Sequence, residues 1–216
     1  MFIMGQSAPG CKRALWIDLE LPDNGRTRLV KRNGRAGPEA MTDPKLPVLI
    51  SAEKIQARIR ELGAQISADF PQGDLYFICI LKGACFFMTD LARAMTRDVW
   101  VDFMGISTYG KGKSSSGEVR VTKDLDISIE GANVVIVEDI VDSGVTLNYL
   151  MHVLDQRKPR SIRIAALLDK PERRLRPVHV QYAGFQIEDR FVVGYGLDCA
   201  EKYRNLDDVC ILEEQP

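Results

Sequence analysis

Residues 134–147 read VVIVEDIVDSGVTL. The first four are apolar and β-branched, which is typical of a strand that is buried on both faces of a parallel sheet. Asp142, Ser143 and Gly144 then supply turn residues, and Val145 opens an apolar helical pattern that runs to Leu154. The segment therefore predicts a strand, a tight turn and a helix, the repeating unit of parallel α/β sheets.

Apolar runs on both sides of this segment predict further strands. Leu75–Leu81 is a continuous run of seven apolar residues, and Val99–Ile106 and Ile162–Leu168 are mostly apolar. Before the first of these runs, apolar residues recur on one helical face after a predicted N-cap at Ser51. These residues are Ile55, Ile59, Leu62 and Ile66. We therefore expect an α/β domain with a central, mostly parallel sheet flanked by helices.

The sequence after Pro177 has a different pattern of apolar residues. Short strand-like pieces occur at residues 178–182, 191–194 and 209–212. They are too short and too far apart to continue the regular alternation of strand and helix. We expect them to form a small hood lobe, built from the C-terminal or N-terminal part of the domain.

The composition is that of an ordinary globular protein, with 45% apolar and 27% charged residues among 216. The net charge of −1 does not indicate a broad basic surface for nucleic acid. No apolar run approaches the roughly 18 residues of a membrane span, and residues 1–10 lack the pattern of a secretory signal. We therefore expect a cytoplasmic protein that binds neither membranes nor nucleic acid.

The cysteine and histidine pattern agrees with a reducing compartment. The cysteines are odd in number and include no Cys-x-x-Cys pair, and the two histidines, His152 and His179, lie far from any pair of cysteines. The sequence therefore predicts free thiols and no zinc–thiolate site. The five cysteines are Cys11, Cys79, Cys85, Cys199 and Cys210.

The first forty residues differ from the rest. They contain seven basic and four acidic residues, a net charge of +3, whereas residues 41–216 carry −4. Turn residues are frequent, and no clear strand or helix period runs through the segment. Residues 41–44, Met-Thr-Asp-Pro, read like a native start. We expect residues 1–40 to be a disordered or non-native extension and residues 41–216 to be the functional domain; a basic arm for a polyanion is the alternative.

The turn after the strand 134–137 has the composition of a phosphate-binding loop. The backbone N–H groups from Ser143 to Thr146 can point into one concavity, and the helix dipole adds partial positive charge. Gly144 permits close approach of a ligand. Glu138 and Asp139, at the carboxyl end of the strand, suit sugar hydroxyls or a shared divalent cation. The simpler alternative is that a side chain of the turn only caps the helix.

Residues 138–146 resemble the phosphoribosyl diphosphate-binding motif of the type I phosphoribosyltransferases. The resemblance extends from about Leu46 to Glu213, and the closest branch is the bacterial type of hypoxanthine-guanine phosphoribosyltransferase. Four further segments carry the match in the same order and spacing. They are LKGA at 81–84, STYG at 107–110, LDKP at 168–171 and FVVGYGLD at 191–198 together with EKYRNL at 201–206.

This resemblance implies the transfer of a phosphoribosyl group from phosphoribosyl diphosphate to hypoxanthine or guanine, giving IMP or GMP, with Mg²⁺ as cofactor. Asp142 is then the catalytic residue, which takes the proton that the base loses. The diphosphate is implied to bind to Lys82, Gly83 and Arg204, with a cis peptide bond before Lys82. The implied ribose phosphate site comprises Glu138, Asp139, Asp142, Ser143, Gly144, Val145 and Thr146.

The resemblance also implies a purine site. Lys170 donates to the 6-oxo group, Phe191 stacks on the ring, and the backbone of Val192 contacts the edge of the base. Asp198 is the fourth implied residue of the purine site. Without the resemblance, core packing explains Phe191 equally well. Adenine carries a 6-amino donor, so a buried lysine donor disfavours it. The implied magnesium ligands are Glu138, Asp139 and Asp198.

Thr108 and Tyr109 open a segment rich in glycine and serine, which we predict to be a mobile loop that closes over the site. The resemblance implies a homodimer or homotetramer. Two alternative functions stay open: a xanthine-preferring transferase, and a phosphoribosyl diphosphate-sensing regulator that binds RNA or DNA. The regulator would need a basic face or an additional DNA-binding domain, and the sequence indicates neither.

Overall fold

The computed structural model describes residues 46–109 and 118–212. The three helices are α1 (Ala52–Asp69), α2 (Cys85–Ala94) and α3 (Val145–Asp155), and a short 3-10 helix covers Pro171–Arg173. The nine strands of these residues are β1 (Val48–Ile50), β2 (Leu75–Leu81), β3 (Trp100–Tyr109), β4 (Glu118–Lys123), β5 (Asn133–Val141), β6 (Ser161–Asp169), β7 (Tyr182–Gln186), β8 (Val192–Val193) and β9 (Val209–Ile211).

Six of these strands form the central sheet, in the order β4-β3-β2-β5-β6-β7. Five neighbouring strands are parallel to one another, namely β3, β2, β5, β6 and β7. Strand β4, at the edge next to β3, is antiparallel. Helices α1 and α2 pack on one face, and α3 packs on the other. The predicted mostly parallel sheet flanked by helices is therefore confirmed.

Strand β5 shows why its sequence is an unbroken apolar run. Val135 and Val137 lie in the core with α1 and α2, whereas Val134 and Ile136 lie in the core with α3. Successive side chains of a strand point to opposite faces, so a central strand between two helical layers needs apolar residues at every position. All four side chains are fully buried.

The hood lobe is a three-stranded antiparallel sheet in the order β1-β9-β8. Two of the three predicted strand pieces, at 191–194 and 209–212, correspond to β8 and β9. The prediction for 178–182 is wrong, because the strand begins only at Tyr182, as β7, and joins the central sheet parallel to β6. Edge strand β7 has one buried residue, Tyr182, and therefore lacks an apolar run. Gly184 allows β7 to approach β6, since a Cβ there would overlap with the Leu167 carbonyl oxygen.

The hood also caps helix α1. Ser51 precedes the helix as predicted, but its side chain forms no cap hydrogen bond. Instead, Asp208 accepts a hydrogen bond from the Ala52 N–H at 2.7 Å. A residue from the far end of the domain thus satisfies one of the free N–H groups that begin the helix.

Strand β3 continues to Tyr109, three residues beyond the predicted end, because it pairs with β4, a strand that was not predicted. The register places Thr108 opposite Val119 and Tyr109 opposite Glu118. Residues 110–117, which contain most of the predicted mobile loop, lie outside the described residues, as does the predicted extension 1–40.

The expectations of no membrane span and of free thiols concern features that the described residues include. None of their helices is long and apolar enough to cross a membrane. The four cysteines among them, Cys79, Cys85, Cys199 and Cys210, are all free.

Candidate functional site

The turn between β5 and α3 lies at the carboxyl edge of the central sheet. Gly144 has a φ of +78°, in the left-handed region that favours glycine. A Cβ at this position would also lie 2.7 Å from the Arg176 carbonyl oxygen. The turn lines a concavity of about 120 Å³, whose polar lining includes Glu138, Asp142 and Thr146.

A side chain of this turn contacts the start of α3. The residue that precedes the helix is Gly144, which has no side chain to form a cap, but the Val145 N–H donates a long hydrogen bond to Ser143 Oγ at 3.4 Å. Ser143 therefore makes a weak capping contact, as the simpler alternative predicts. Asp142 and Thr146 line the concavity, where they can contact a ligand.

Glu138 and Asp139 are adjacent acids near the end of β5. Burial, followed by the charge of Asp139, raises the pKa of Glu138 well above its ordinary value. Burial also raises the pKa of Asp139 to about 6, although a hydrogen bond from the Ile140 N–H acts in the opposite direction. A divalent cation would offset the unfavourable charge of two such carboxylates.

The two carboxylates suit a cation that takes most of its ligands from water and from the substrate. Within the described residues, no group of three or more His, Cys, Asp or Glu side chains could hold a metal ion alone. Mg²⁺ is commonly bound by one or two carboxylates together with phosphate oxygens and water. The residues present therefore fit Mg²⁺ better than they fit a metal that needs a full protein cage.

A cluster of two cationic and two anionic side chains lies on the β2 side of β5, where Glu201 joins two of the predicted diphosphate-binding residues. Its Oε1 is 3.1 Å from Lys82 Nζ, and its Oε2 is 3.3 Å from an Arg204 guanidinium nitrogen. That same nitrogen is 2.7 Å from Asp198 Oδ1. Arg204 Nε is buried and has no hydrogen-bond partner among the described residues. An unsatisfied buried donor costs about 1–3 kcal/mol, so this nitrogen is suited to a ligand oxygen.

Gly83 connects this cluster to β5. A Cβ at Gly83 would overlap with Asp139 Oδ2, and a Cβ at Gly196 would overlap with the Gly83 carbonyl oxygen. The loop that follows β2 therefore packs directly on both Asp139 and the hood. The peptide bond between Leu81 and Lys82 is cis, as the resemblance implied.

Lys170 lies on the other side of the turn. Its side chain is only 10% exposed, and its Nζ donates to the Arg190 carbonyl oxygen at 2.7 Å. Phe191 is 51% exposed, so the core-packing alternative for this residue is wrong. The Val192 side chain is buried, and its backbone belongs to β8.

Three charged residues beside Asp142 were not predicted. Arg173 Nε lies 3.1 Å from Asp142 Oδ1, and the NH1 of the same guanidinium lies 3.0 Å from Asp189 Oδ2. Arg174 donates to the Val141 carbonyl oxygen at 2.8 Å. The available signal was a pair of arginines just after a buried strand, but solvated arginines give the same pattern.

A second concavity, of about 560 Å³, lies at the opposite edge of the sheet. It is lined by Arg97, Trp100 and other residues at the amino ends of β2 and β3. None of the predicted site residues reaches it. Ligands of open α/β sheets bind at the carboxyl ends of the strands, so we place the site at the β5–α3 turn despite its smaller volume.

Comparisons with known proteins identify the family of the chain. The phosphoribosyl transferase domain model matches residues 50–200. Hypoxanthine-guanine phosphoribosyltransferase of Bacillus subtilis is 47% identical over 166 residues, covering 77% of this chain and 92% of that protein. A crystal structure of a hypoxanthine phosphoribosyltransferase from Staphylococcus aureus superposes with a TM-score of 0.75 at 44% identity, covering 77% of this chain and 90% of that one.

A longer relative matches more of the chain. The bifunctional protein TilS/HprT of Listeria innocua is 41% identical over 208 residues, which cover 96% of this chain but only 32% of that protein. This chain thus spans about a third of the length of that relative, and the match includes most of residues 1–40. The domain model and these relatives together show that the chain belongs to the phosphoribosyltransferase family, in the bacterial hypoxanthine-guanine branch that its motifs predict.

Proposed function

We propose that this protein transfers the phosphoribosyl group of phosphoribosyl diphosphate to hypoxanthine or guanine, giving IMP or GMP and releasing diphosphate. The observation that carries this proposal is the position of the phosphate loop. Strand β5, which leads into the loop, lies between β2, which ends just before Lys82, and β6, which ends just before the nearly buried Lys170. A phosphorylated sugar in the loop would therefore meet the two groups that the reaction needs, one on each side.

The chemistry follows from these positions. A ring nitrogen of the base attacks the anomeric carbon, and the bond from that carbon to the diphosphate oxygen breaks. Diphosphate leaves with the electron pair, and Lys82 and Arg204 stabilise its charge. The base loses a proton from its imidazole ring, and Asp142 accepts it. The backbone N–H groups of residues 143–146 hold the ribose phosphate and so align the reacting atoms.

Mg²⁺ is part of this proposal. Glu138, Asp139 and Asp198 would hold it, directly or through water. When bound, Mg²⁺ would neutralise charge on the diphosphate and on the adjacent carboxyls of Glu138 and Asp139. Arg204 and Lys82 provide the positive charge that the protein itself contributes on this side.

Base selection is assigned to Lys170. Its ammonium group donates a hydrogen bond to a 6-oxo group, whereas the 6-amino group of adenine would face it with another donor. Such a mismatch leaves a buried polar group unpaired and can discriminate by about 10⁴-fold. Xanthine also carries the 6-oxo group, so a xanthine-preferring transferase is the alternative within this family.

Steady-state turnover of a panel of bases tests the proposal. Purified protein with Mg²⁺ and phosphoribosyl diphosphate is assayed with hypoxanthine, guanine, xanthine, adenine and uracil. We expect turnover of hypoxanthine and guanine and a kcat/KM for adenine lower by about 10⁴-fold. A preference for xanthine would favour the alternative transferase. No turnover of any base, with tight RNA binding instead, would contradict the proposal.

We propose that residues 41–216 form the functional domain and that residues 1–40 take no part in catalysis. A protein shortened to begin at Met41 should keep the kcat, the KM values and the midpoint of thermal unfolding of the full chain. All of the site residues named above lie after position 80, which supports this expectation. A fall in kcat or in the unfolding midpoint would instead assign residues 1–40 to the working protein.

For the assembly, we propose a homodimer or homotetramer. Trp100 is 57% exposed, its ring stacks on Tyr76 with centroids 5.9 Å apart, and the neighbouring Val101 is also exposed. Exposed apolar side chains that cluster in this way are common at contacts between subunits. Light scattering during size-exclusion chromatography measures the assembly, and a monomer at micromolar concentration would contradict it.

A further inference from the structure

Four charged side chains form a continuous series of alternating sign beside the turn after β5. Its three contacts measure 3.1 Å, 3.0 Å and 3.4 Å. In order, the members are Asp142, Arg173, Asp189 and Lys170. The two ends of the series are the residues to which we assign proton transfer and recognition of the 6-oxo group.

The series joins three consecutive loops at the carboxyl edge of the sheet. Asp142 follows β5, Lys170 and Arg173 follow β6, and Asp189 follows β7. Arg173 is the connecting member, because its Nε contacts one carboxylate and its NH1 contacts the other. A planar guanidinium can hold two carboxylates at a fixed separation, whereas a lysine ammonium is a single point of charge.

The backbone of the turn is fixed separately. Arg174 donates to the carbonyl oxygens of Val141 and Asp142, and the Leu175 N–H donates to the Ser143 carbonyl oxygen at 2.9 Å. These bonds set the position of the main chain but leave the Asp142 carboxylate free to rotate. The contact with Arg173 engages Oδ1, while within the described parts of the chain Oδ2 forms no hydrogen bond.

We propose that Arg173 is a positioning residue for the reaction. It holds Oδ1 of Asp142 so that Oδ2 faces the base, and through Asp189 it keeps this carboxylate in register with Lys170. The inference rests on the proposed function, since it assigns the proton acceptor to Asp142. Without Arg173, the side chain of Asp142, which is 46% exposed, would sample other rotamers in solvent.

An ordinary surface ion pair would behave differently. Arg173 is half-exposed, and exposed ion pairs contribute little to stability. Such a pair would affect neither kcat alone nor the response to a second change at Asp142. Arg157, which is paired with Asp124 at 2.7 Å away from the turn, offers a matched control.

The test is a double-mutant cycle with steady-state kinetics. The proteins are the wild type, Arg173→Ala, Arg173→Lys, Asp142→Asn, the Arg173→Ala/Asp142→Asn double variant and the control Arg157→Ala. We expect Arg173→Ala to lower kcat by about tenfold to hundredfold, because small misplacements of a catalytic group have effects of this size. The KM for phosphoribosyl diphosphate should stay unchanged, since the phosphate loop is held by other bonds.

The double variant shows whether Arg173 is a positioning residue or part of an ordinary surface ion pair. If Arg173 acts through Asp142, then Arg173→Ala causes no further loss in the Asp142→Asn background, and Arg173→Lys restores part of the activity. An equal loss in both backgrounds, an unchanged kcat in Arg173→Ala, or an equal loss in Arg157→Ala would overturn the inference. A wild type that turns over none of the bases would instead overturn the proposed function.

The contact can also be tested without turnover. In protein labelled at its aspartate carboxyl carbons, the signal of Asp142 is assigned by its disappearance in Asp142→Asn. We expect this signal to shift in Arg173→Ala and to stay in place in Arg157→Ala. A signal that does not respond to the loss of Arg173 would show that the contact is absent in solution.

Discussion

Replacement of Asp142 with alanine is expected to lower kcat by about 10²–10⁴-fold, the usual contribution of a positioned acid or base. The affinity for phosphoribosyl diphosphate should change little. In the proposed site, the backbone N–H groups of residues 143–146 bind the phosphate, and the diphosphate is assigned to Lys82 and Arg204 rather than to Asp142. Stopped-flow or steady-state kinetics with hypoxanthine measures kcat, and calorimetry measures the dissociation constant.

Two further variants make this result specific. Asp142→Asn keeps the size of the side chain but cannot accept the proton in the same way, so it should be nearly as slow as Asp142→Ala. Asp124→Ala removes an exposed, paired carboxylate away from the turn and should keep the wild-type kcat. If both Asp142 variants keep the wild-type rate, Asp142 is not the proton acceptor.

Replacement of Lys170 with methionine is expected to lower the kcat/KM for hypoxanthine by about tenfold to hundredfold. The estimate follows from the 1.5–3 kcal/mol that a hydrogen bond to a charged group contributes. Methionine fills most of the volume of the nearly buried lysine but offers no donor for the 6-oxo group. The kcat/KM for adenine should change far less, so the ratio between the two bases should fall.

The matched control for this variant is Lys54→Met, which changes an exposed lysine of α1 and should leave both values unchanged. Thermal unfolding of the Lys170 variant separates recognition from stability, because the Arg190 carbonyl oxygen loses its donor in the same change. An unchanged ratio of the two kcat/KM values would remove Lys170 from the base site.

The strands that sequence predicted well are those buried on both faces. Leu75–Leu81 is observed with the predicted bounds, because every position of such a strand must be apolar. Strands β4 and β7 at the sheet edges were missed or misplaced. Their stability comes from pairing with one neighbour, and their sequences, EVRVTK and YAGFQ, carry no continuous apolar signal.

The candidate site also has a part that the sequence predicted and a part that it did not. Residues 138–146 are contiguous, so a single segment of sequence was enough to predict the candidate phosphate loop. Arg173 and Asp189 act through contacts between loops that follow different strands, and Glu201 joins Lys82 across 119 positions in the sequence. Charge alone does not mark such residues, because exposed arginines and glutamates are common on any surface. Their partners become evident only when the fold brings the loops together.

The hood combines strands from both ends of the domain, and this affects the order of folding. Strand β1 comes from the start of the domain and strands β8 and β9 from its end, and Val48 pairs with Cys210. Closing a loop of this length has a large entropic cost, which must be offset by structure that has already formed. The central sheet is therefore expected to assemble first and the hood last. Since Asp198, Glu201 and Arg204 lie between β8 and β9, a chain that has completed its sheet would still lack the cluster assigned to diphosphate. In refolding, we therefore expect secondary structure to recover before catalytic activity does.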